Sequence, residues 1–204
     1  MKAILYDWGG ANVWLFHLVN NLRDSYLDRI MLLGTRLGDH GNFPLYLALL
    51  AVAGVWALGR MPPEEPGRYR LRATAWLTAV AVFGAAYVLD GWLIGWLKPL
   101  FDFPRPLLAL PAGALHVVGV PEYHHSLPSG HASFAMVLAA GVWPLLGPGG
   151  RGTAAAFVLW VGLSRVSLGA HFPADVLAGY LSALAVVLLV RAALTAMGKR
   201  GAGP

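Results

Sequence analysis

Residues Ala73 to Leu97, ATAWLTAVAVFGAAYVLDGWLIGWL, carry a single charge, Asp90. At about 1.5 Å per helical residue such a run exceeds the roughly 30 Å hydrocarbon thickness of a bilayer, so it reads as a membrane-spanning helix. Asp90, alone inside that span, is expected to face the bundle or pair with a polar group, since a lone carboxylate in lipid is costly. Lys98-Pro99 is expected to stop the helix, because a residue before proline is pushed out of the helical region. Upstream, Arg60 to Arg72 reads as a short loop with four arginines around Pro62-Pro63-Glu64-Glu65-Pro66-Gly67, and Phe43 to Gly59 as an uncharged preceding span.

The same character extends over the whole chain. With 57% hydrophobic and 12% charged residues in 204, and a mean hydropathy of +0.60, membrane embedding is the first inference. The formal net charge of +5 lies in scattered residues and not in a basic tract, which argues against nucleic-acid binding. There is no cysteine, so disulfides, thiolate nucleophiles and Cys-based zinc sites are excluded. Met1 to Trp8 lacks a basic region followed by an unbroken apolar core and does not read as a cleaved signal peptide.

Between Asn12 and Leu37, Leu15, Leu18, Leu22, Tyr26, Ile30, Leu33 and Leu37 recur three or four apart on a helical stripe. Interleaved Arg23, Asp24, Asp28, Arg29 and Arg36 make this segment one or two amphipathic helices in the interface or against the bundle. Gly38 to Asn42 reads as a turn. Beyond Lys98, Pro99, Pro104, Pro106, Pro111 and Pro121 forbid a long helix, leaving Leu100 to Leu127 irregular. Spans follow from His131 to about Leu146, Thr153 to about Leu168 and Ala174 to Val190. The expected fold is all-α: an integral membrane bundle of five transmembrane helices, or six if the N-terminal segment crosses. It forms one domain, 1–204, divided into the N-terminal segment 1–42 and the core 43–195.

Cytoplasmic loops concentrate Lys and Arg, so the four-arginine loop is expected inside. Alternation from there puts Arg151, Arg191, Lys199 and Arg200 on the same side. It also gathers Lys98, Arg105, His131, Arg165, His171 and Asp175 at the opposite, extracytoplasmic end. Apart from the N-terminal segment, Lys98, Arg105 and Arg165 are the cations expected there, a set that suits an anion.

Ser129-Gly130-His131 opens a helix, where free N–H groups and the dipole favour an anion; the plainer reading makes Ser129 an N-cap. Lys98 and Arg105 flank a short Pro-bounded loop, and the Arg105 guanidinium matches phosphate oxygens, although either side chain could instead snorkel to headgroups. If Pro173 starts the last helix, Asp175 lies in its first turn within reach of His171. A carboxylate on one imidazole nitrogen makes the other a better base or nucleophile. His131 is a second imidazole, able to protonate a leaving group.

In combination, Lys98-x6-Arg105-Pro106, Pro128-Ser129-Gly130-His131 and Ser164-Arg165-x5-His171-x3-Asp175 resemble the three-part signature of the type-2 phosphatidic acid phosphatase family, the integral-membrane lipid phosphate phosphatases. No signature position between Lys98 and Asp175 departs from it. The resemblance implies His171 as the nucleophile forming a phosphohistidine, Asp175 as its orienting partner and His131 as the acid. It implies Lys98, Arg105, Ser129, Gly130 and Arg165 as phosphate-binding groups, with no metal and no cofactor. It further implies a bacterial inner-membrane enzyme of the cell envelope whose site faces the periplasm or exterior. Undecaprenyl diphosphate is the first choice of substrate, with phosphatidylglycerol phosphate, phosphatidic acid and lipid A phosphate as alternatives.

Three competing readings remain. A metal-dependent hydrolase would use His124, His125, His131 and Asp175 as ligands. A serine hydrolase would pair Ser129 with His171, leaving the three cations without a task. A transporter would bind the phosphate headgroup without catalysis, leaving two histidines and a carboxylate surplus. His124 and His125 otherwise read as a solvated loop pair, His17, His40 and His116 as structural or surface residues, and Asp102 and Glu122 as groups that bind headgroups or steer the loop.

Overall fold

The computed structural model describes residues 6–22, 24–62 and 66–201, and for 199–201 the backbone alone. The readings that fall on Met1 to Leu5, Arg23, Pro63-Glu64-Glu65 and the Lys199 and Arg200 side chains lie outside the described residues.

The described residues are helical, without strands: α1 (Ala11–Asn20), α2 (Ser25–Leu37), α3 (Phe43–Gly59), α4 (Pro66–Phe101), the one-turn α5 (Pro106–Ala109), α6 (Gly130–Val142), α7 (Pro148–Ser167) and α8 (Pro173–Gly201). The N-terminal segment thus makes two helices. Asp24 caps the second by accepting hydrogen bonds from the amides of Tyr26 (2.8 Å) and Leu27 (3.0 Å). These satisfy donors that the first turn of a helix leaves free.

Several helix boundaries differ from expectation. α4 begins at Pro66 and runs through Pro99 to Phe101, so Arg68, Arg70 and Arg72 are helical and not in a loop. Proline suits the first turn, where the missing N–H has no partner to lose. Pro99 falls in the last turn, where it costs one hydrogen bond at the helix end and does not break the interior. The final helix also continues past Val190 to Gly201.

α6 is the centre of the bundle, packed against α4, α7 and α8. Val82 and Phe83 of α4, Phe134 and Val137 of α6, and Ala183 and Val187 of α8 form one buried cluster. Asp90 is buried and accepts a hydrogen bond from the Ser133 hydroxyl of α6, the polar partner expected for it. Among the described residues three helical segments are long and apolar enough to cross a membrane by themselves, within His40–Gly59, Pro66–Ala109 and Pro173–Gly198. α6 is shorter and α7 more polar; lying between neighbours, they need not be apolar on every face. Outward-facing Val52, Val55, Trp56, Leu77, Trp92, Leu181 and Leu189 give the bundle the apolar exterior that lipid requires.

The N-terminal helices pack on the bundle. At Gly34 of α2 and Gly38 just past its end an added Cβ would collide with Trp160 and Val161 of α7; small residues four apart permit this close helix approach. Buried Asn20 of α1 donates to the carbonyls of His116 (2.7 Å) and Ser167 (2.8 Å) and accepts from the His116 amide (2.8 Å). Asn12 accepts from the Ala174 amide at the start of α8 (2.9 Å). The polar residues of this segment therefore spend themselves on the bundle, which is why its charge did not preclude helices.

Candidate active site

α3 leads away from one end of the bundle, α4 returns to it, α6 starts there, α7 ends there and α8 starts there. All eight signature residues consequently lie at that end. Arg60, Arg68, Arg70, Arg72, Arg151 and Arg191 belong to the other.

Gly169 makes the turn after α7. Its φ of +75° is a left-handed conformation, and an added Cβ would strike the His116 carbonyl, so glycine is required. The chain folds back until the Arg165 carbonyl accepts from the amides of Ala170 (3.0 Å) and His171 (3.1 Å). His171 is 1% exposed and Asp175 wholly buried. His171 Nδ1 lies 3.4 Å from Asp175 Oδ2 and 3.4 Å from Ser126 Oγ. Its Nε2 lies 3.1 Å from Arg105 Nη1. A guanidinium only donates, so Nε2 presents its lone pair and the proton sits on Nδ1, facing the carboxylate. Burial first, then the charges of Arg105, Arg165 and Lys98, hold the His171 pKa well below its ordinary value. The imidazole is thereby favoured in its neutral form, with the Nε2 lone pair free of a proton.

Asp175 is itself held firmly. Its Oδ2 accepts from Ser126 Oγ (2.5 Å) and the Phe172 amide (2.8 Å), and its Oδ1 from the Tyr6 hydroxyl (2.8 Å). Burial, then the Asp175 charge, push the Tyr6 phenol far above its ordinary pKa, so it remains a donor.

Around His171 stand the cations. Arg105, 5% exposed, also donates to the His124 carbonyl (2.9 Å), the Ala170 carbonyl (3.2 Å) and Glu122 Oε2 (2.6 Å). Arg165 donates to Thr35 Oγ1 (2.6 Å) and faces Glu122 Oε2 at 3.5 Å. One half-exposed carboxylate therefore bridges the two guanidiniums. Lys98, in the last turn of α4, is close enough for its charge to act on His171.

Ser129 immediately precedes α6 but its side chain makes no capping bond, and the buried hydroxyl has no partner among the described residues; neither has the buried Nε of Arg165. The plain capping reading of Ser129 is thereby set aside. Five buried side-chain polar atoms lack a partner among the described residues, and two of them belong to signature residues, where a ligand with acceptor oxygens would satisfy both. His131, in the first turn of α6, has Nε2 3.5 Å from Asp39 Oδ2. A cavity of about 260 Å³ opens here, lined among others by Thr35, Arg36, Asp39, Glu122, His131 and Arg165.

The other histidines have neighbours of their own. His124 and His125 are exposed beside Asp102, at 3.6 and 3.3 Å, and His116 pairs with Asp28 at 3.0 Å. His40 stacks on Phe134 and abuts Gly130. Among the described residues no group of three His, Asp or Glu side chains is placed to hold a metal ion, so the ligand set imagined from His124, His125, His131 and Asp175 does not assemble.

Sequence reasoning overlooked Tyr6, Thr35 and Ser126, and read Asp39 only as part of a turn. Ser126 precedes His131 by five residues and Asp39 opens the turn before the first span on the site's side, so topology held a signal for both. Tyr6 and Thr35 left none, having no spacing to a motif.

The PAP2 superfamily model matches residues 68–198, more than half of the chain. Two solved structures are similar in fold. Aquifex aeolicus LpxE superposes with a TM-score of 0.71 at 23% identity, over 88% of this chain and 94% of that one. A transmembrane PAP2-type phosphatidylglycerolphosphate phosphatase from Bacillus subtilis gives 0.66 at 24% identity, over 92% and 86%. No curated protein sequence matches.

Proposed function

The chain belongs to the PAP2 superfamily, a multi-pass membrane phosphatase of phosphorylated lipids, and we propose that its substrate is a lipid diphosphate, undecaprenyl diphosphate before phosphatidylglycerol phosphate, phosphatidic acid or lipid A phosphate. The observation that carries the reading is His171 Nε2 facing Arg105 Nη1 at 3.1 Å, with the charges of Arg165 and Lys98 also acting on this imidazole, and with buried Ser129 Oγ and Arg165 Nε left without a partner among the described residues. This is a seat for a phosphoryl group next to a neutral nucleophile.

Lys98, Arg105, Arg165, Ser129 and the Gly130 amide hold the phosphoryl oxygens and take up the charge that spreads over them in the transition state. The His171 Nε2 lone pair forms the N–P bond. The P–O bond to the leaving group breaks, and its electron pair stays on an oxygen that receives the proton of His131. Neutral His131 then takes a proton from water, whose oxygen attacks phosphorus as the P–N bond breaks, releasing inorganic phosphate and restoring His171. Asp175, held by Tyr6, Ser126 and the Phe172 amide, keeps the Nδ1 proton in place and balances the charge on the imidazole. A binding protein without catalysis has no use for this second set of contacts.

The arginines at the far end of the bundle support an extracytoplasmic site in a bacterial inner membrane. Glu122 occupies the space between Arg105 and Arg165, so an arriving dianion must displace or share it.

The test is phosphate release by purified protein in detergent, with chelator present, from undecaprenyl diphosphate, phosphatidylglycerol phosphate and phosphatidic acid. Release is expected to fall at least about 10⁴-fold in His171→Ala, the scale of losing a nucleophile. Activity that survives the substitution removes His171 from that role, and faster turnover of a monophosphate lipid reassigns the substrate.

A further inference from the structure

The strongest unassigned feature is the α2 end of the site cavity. Thr35 of α2 anchors Arg165, and Asp39, four residues on, meets His131. Arg36 lies between them in sequence and lines the same cavity. Its backbone is tied down, the carbonyl accepting from Asn42 Nδ2 at 2.6 Å and the Asp39 amide at 3.3 Å. Yet among the described residues its guanidinium has no carboxylate partner, whereas Arg105 and Arg165 share Glu122.

In-line displacement puts the leaving oxygen opposite the nucleophile. With His171 attacking and His131 protonating, the leaving group departs on the His131 side, into the cavity that Arg36 lines. A lipid alcohol departing there carries no charge for a guanidinium to meet. A lipid monophosphate, the leaving group of a diphosphate, does. The cavity, at about 260 Å³, is below the roughly 300–1,000 Å³ of sites for drug-sized ligands, and favours a compact headgroup over a sugar-bearing one.

Resting on the lipid-phosphatase reading above, we propose that Arg36 is a specificity-determining residue: it binds the phosphate that remains on the lipid, so that diphosphates are cleaved in preference to monophosphates. Arg36 makes no contact with the transferred phosphoryl group. Its contribution grows as negative charge develops on the bridging oxygen and the departing phosphate.

The experiment compares farnesyl diphosphate with farnesyl monophosphate, in detergent, for wild type, Arg36→Gln and Arg36→Lys, with inhibition constants for methylenediphosphonate and orthophosphate. In Arg36→Gln, kcat/KM for the diphosphate should fall roughly 10- to 100-fold, the range of a charge-assisted contact, with the monophosphate changing less than about 3-fold. Methylenediphosphonate inhibition should weaken in parallel, orthophosphate inhibition should hold, and Arg36→Lys should recover part of the loss. Equal falls on both substrates, or an unchanged ratio, overturn the assignment of Arg36 and leave the phosphatase reading standing. A wild type that cleaves the monophosphate and not the diphosphate defeats the diphosphate reading and this inference together.

Discussion

The site is assembled from two regions of different kind. Residues 98–175 supply the groups proposed to act on phosphorus, at spacings that resemble a family signature. Residues 6–42 lie outside the family match, yet they reach the same end of the bundle: Tyr6 holds Asp175, Thr35 holds Arg165 and Asp39 meets His131. The difference teaches how division of labour appears in a chain. Groups that touch the reacting atoms must keep both identity and register, whereas a supporting contact needs only some donor or acceptor at the right place.

The comparison predicts graded losses. Asp175→Asn, in the motif region, should lower kcat roughly 10³- to 10⁴-fold, since the amide can no longer hold the Nδ1 proton or balance the imidazole charge. Steady-state kinetics with intact folding, read from the tryptophan fluorescence melt, checks it. Tyr6→Phe should cost less, about 3- to 10-fold in kcat with KM unchanged, because Ser126 and the Phe172 amide still hold the carboxylate. Acting only through Asp175, it should add nothing in the Asp175→Asn background. A Tyr6→Phe loss that persists there means the N-terminal segment has a role of its own.

Thr35→Val should be milder again and of the other kind, raising KM and the orthophosphate inhibition constant about 3-fold with little change in kcat, since Arg165 is loosened and not removed. A kcat effect without a KM effect would place Thr35 on the wrong side of the division.

The smallest effect concerns stability. His171 is held well below its ordinary pKa of 6.5. Below pH 6.5 the unfolded chain binds a proton at this position that the folded chain refuses. The contribution of His171 is therefore complete above that pH and lost as pH falls below it. The melting temperature of wild type should drop more steeply from pH 7 to pH 5 than that of His171→Gln. Parallel curves would mean that His171 is not shielded as its burial indicates.

Much of the fold was legible because the membrane limits the choices. Uncharged runs have to be helices, and Lys and Arg on alternate connections set a consistent pair of ends. Errors came at helix termini: the run through Pro99 and the helical Arg68, Arg70 and Arg72 reflect the fact that proline in a first or last turn is cheap. The signature residues were legible because chemistry restricts their type and the short loops Lys98 to Arg105 and Arg165 to Asp175 restrict their spacing. The partner of His116 was illegible for the opposite reason, Asp28 lying 88 positions away.

Composition and local spacing thus indicate, unaided, an all-helical membrane protein, and the motif spacing marks the eight signature residues to which the resemblance assigns a phosphate, because hydrophobic burial and reaction chemistry are local demands on residue type. Tyr6 against Asp175, Thr35 against Arg165 and Arg36 on the cavity beside His131 were decided only when the N-terminal segment packed on α7 and α8, and Glu122 between two guanidiniums only when its loop met α7. Those contacts span up to 169 positions, and no periodicity or spacing encodes a pairing made by helix packing.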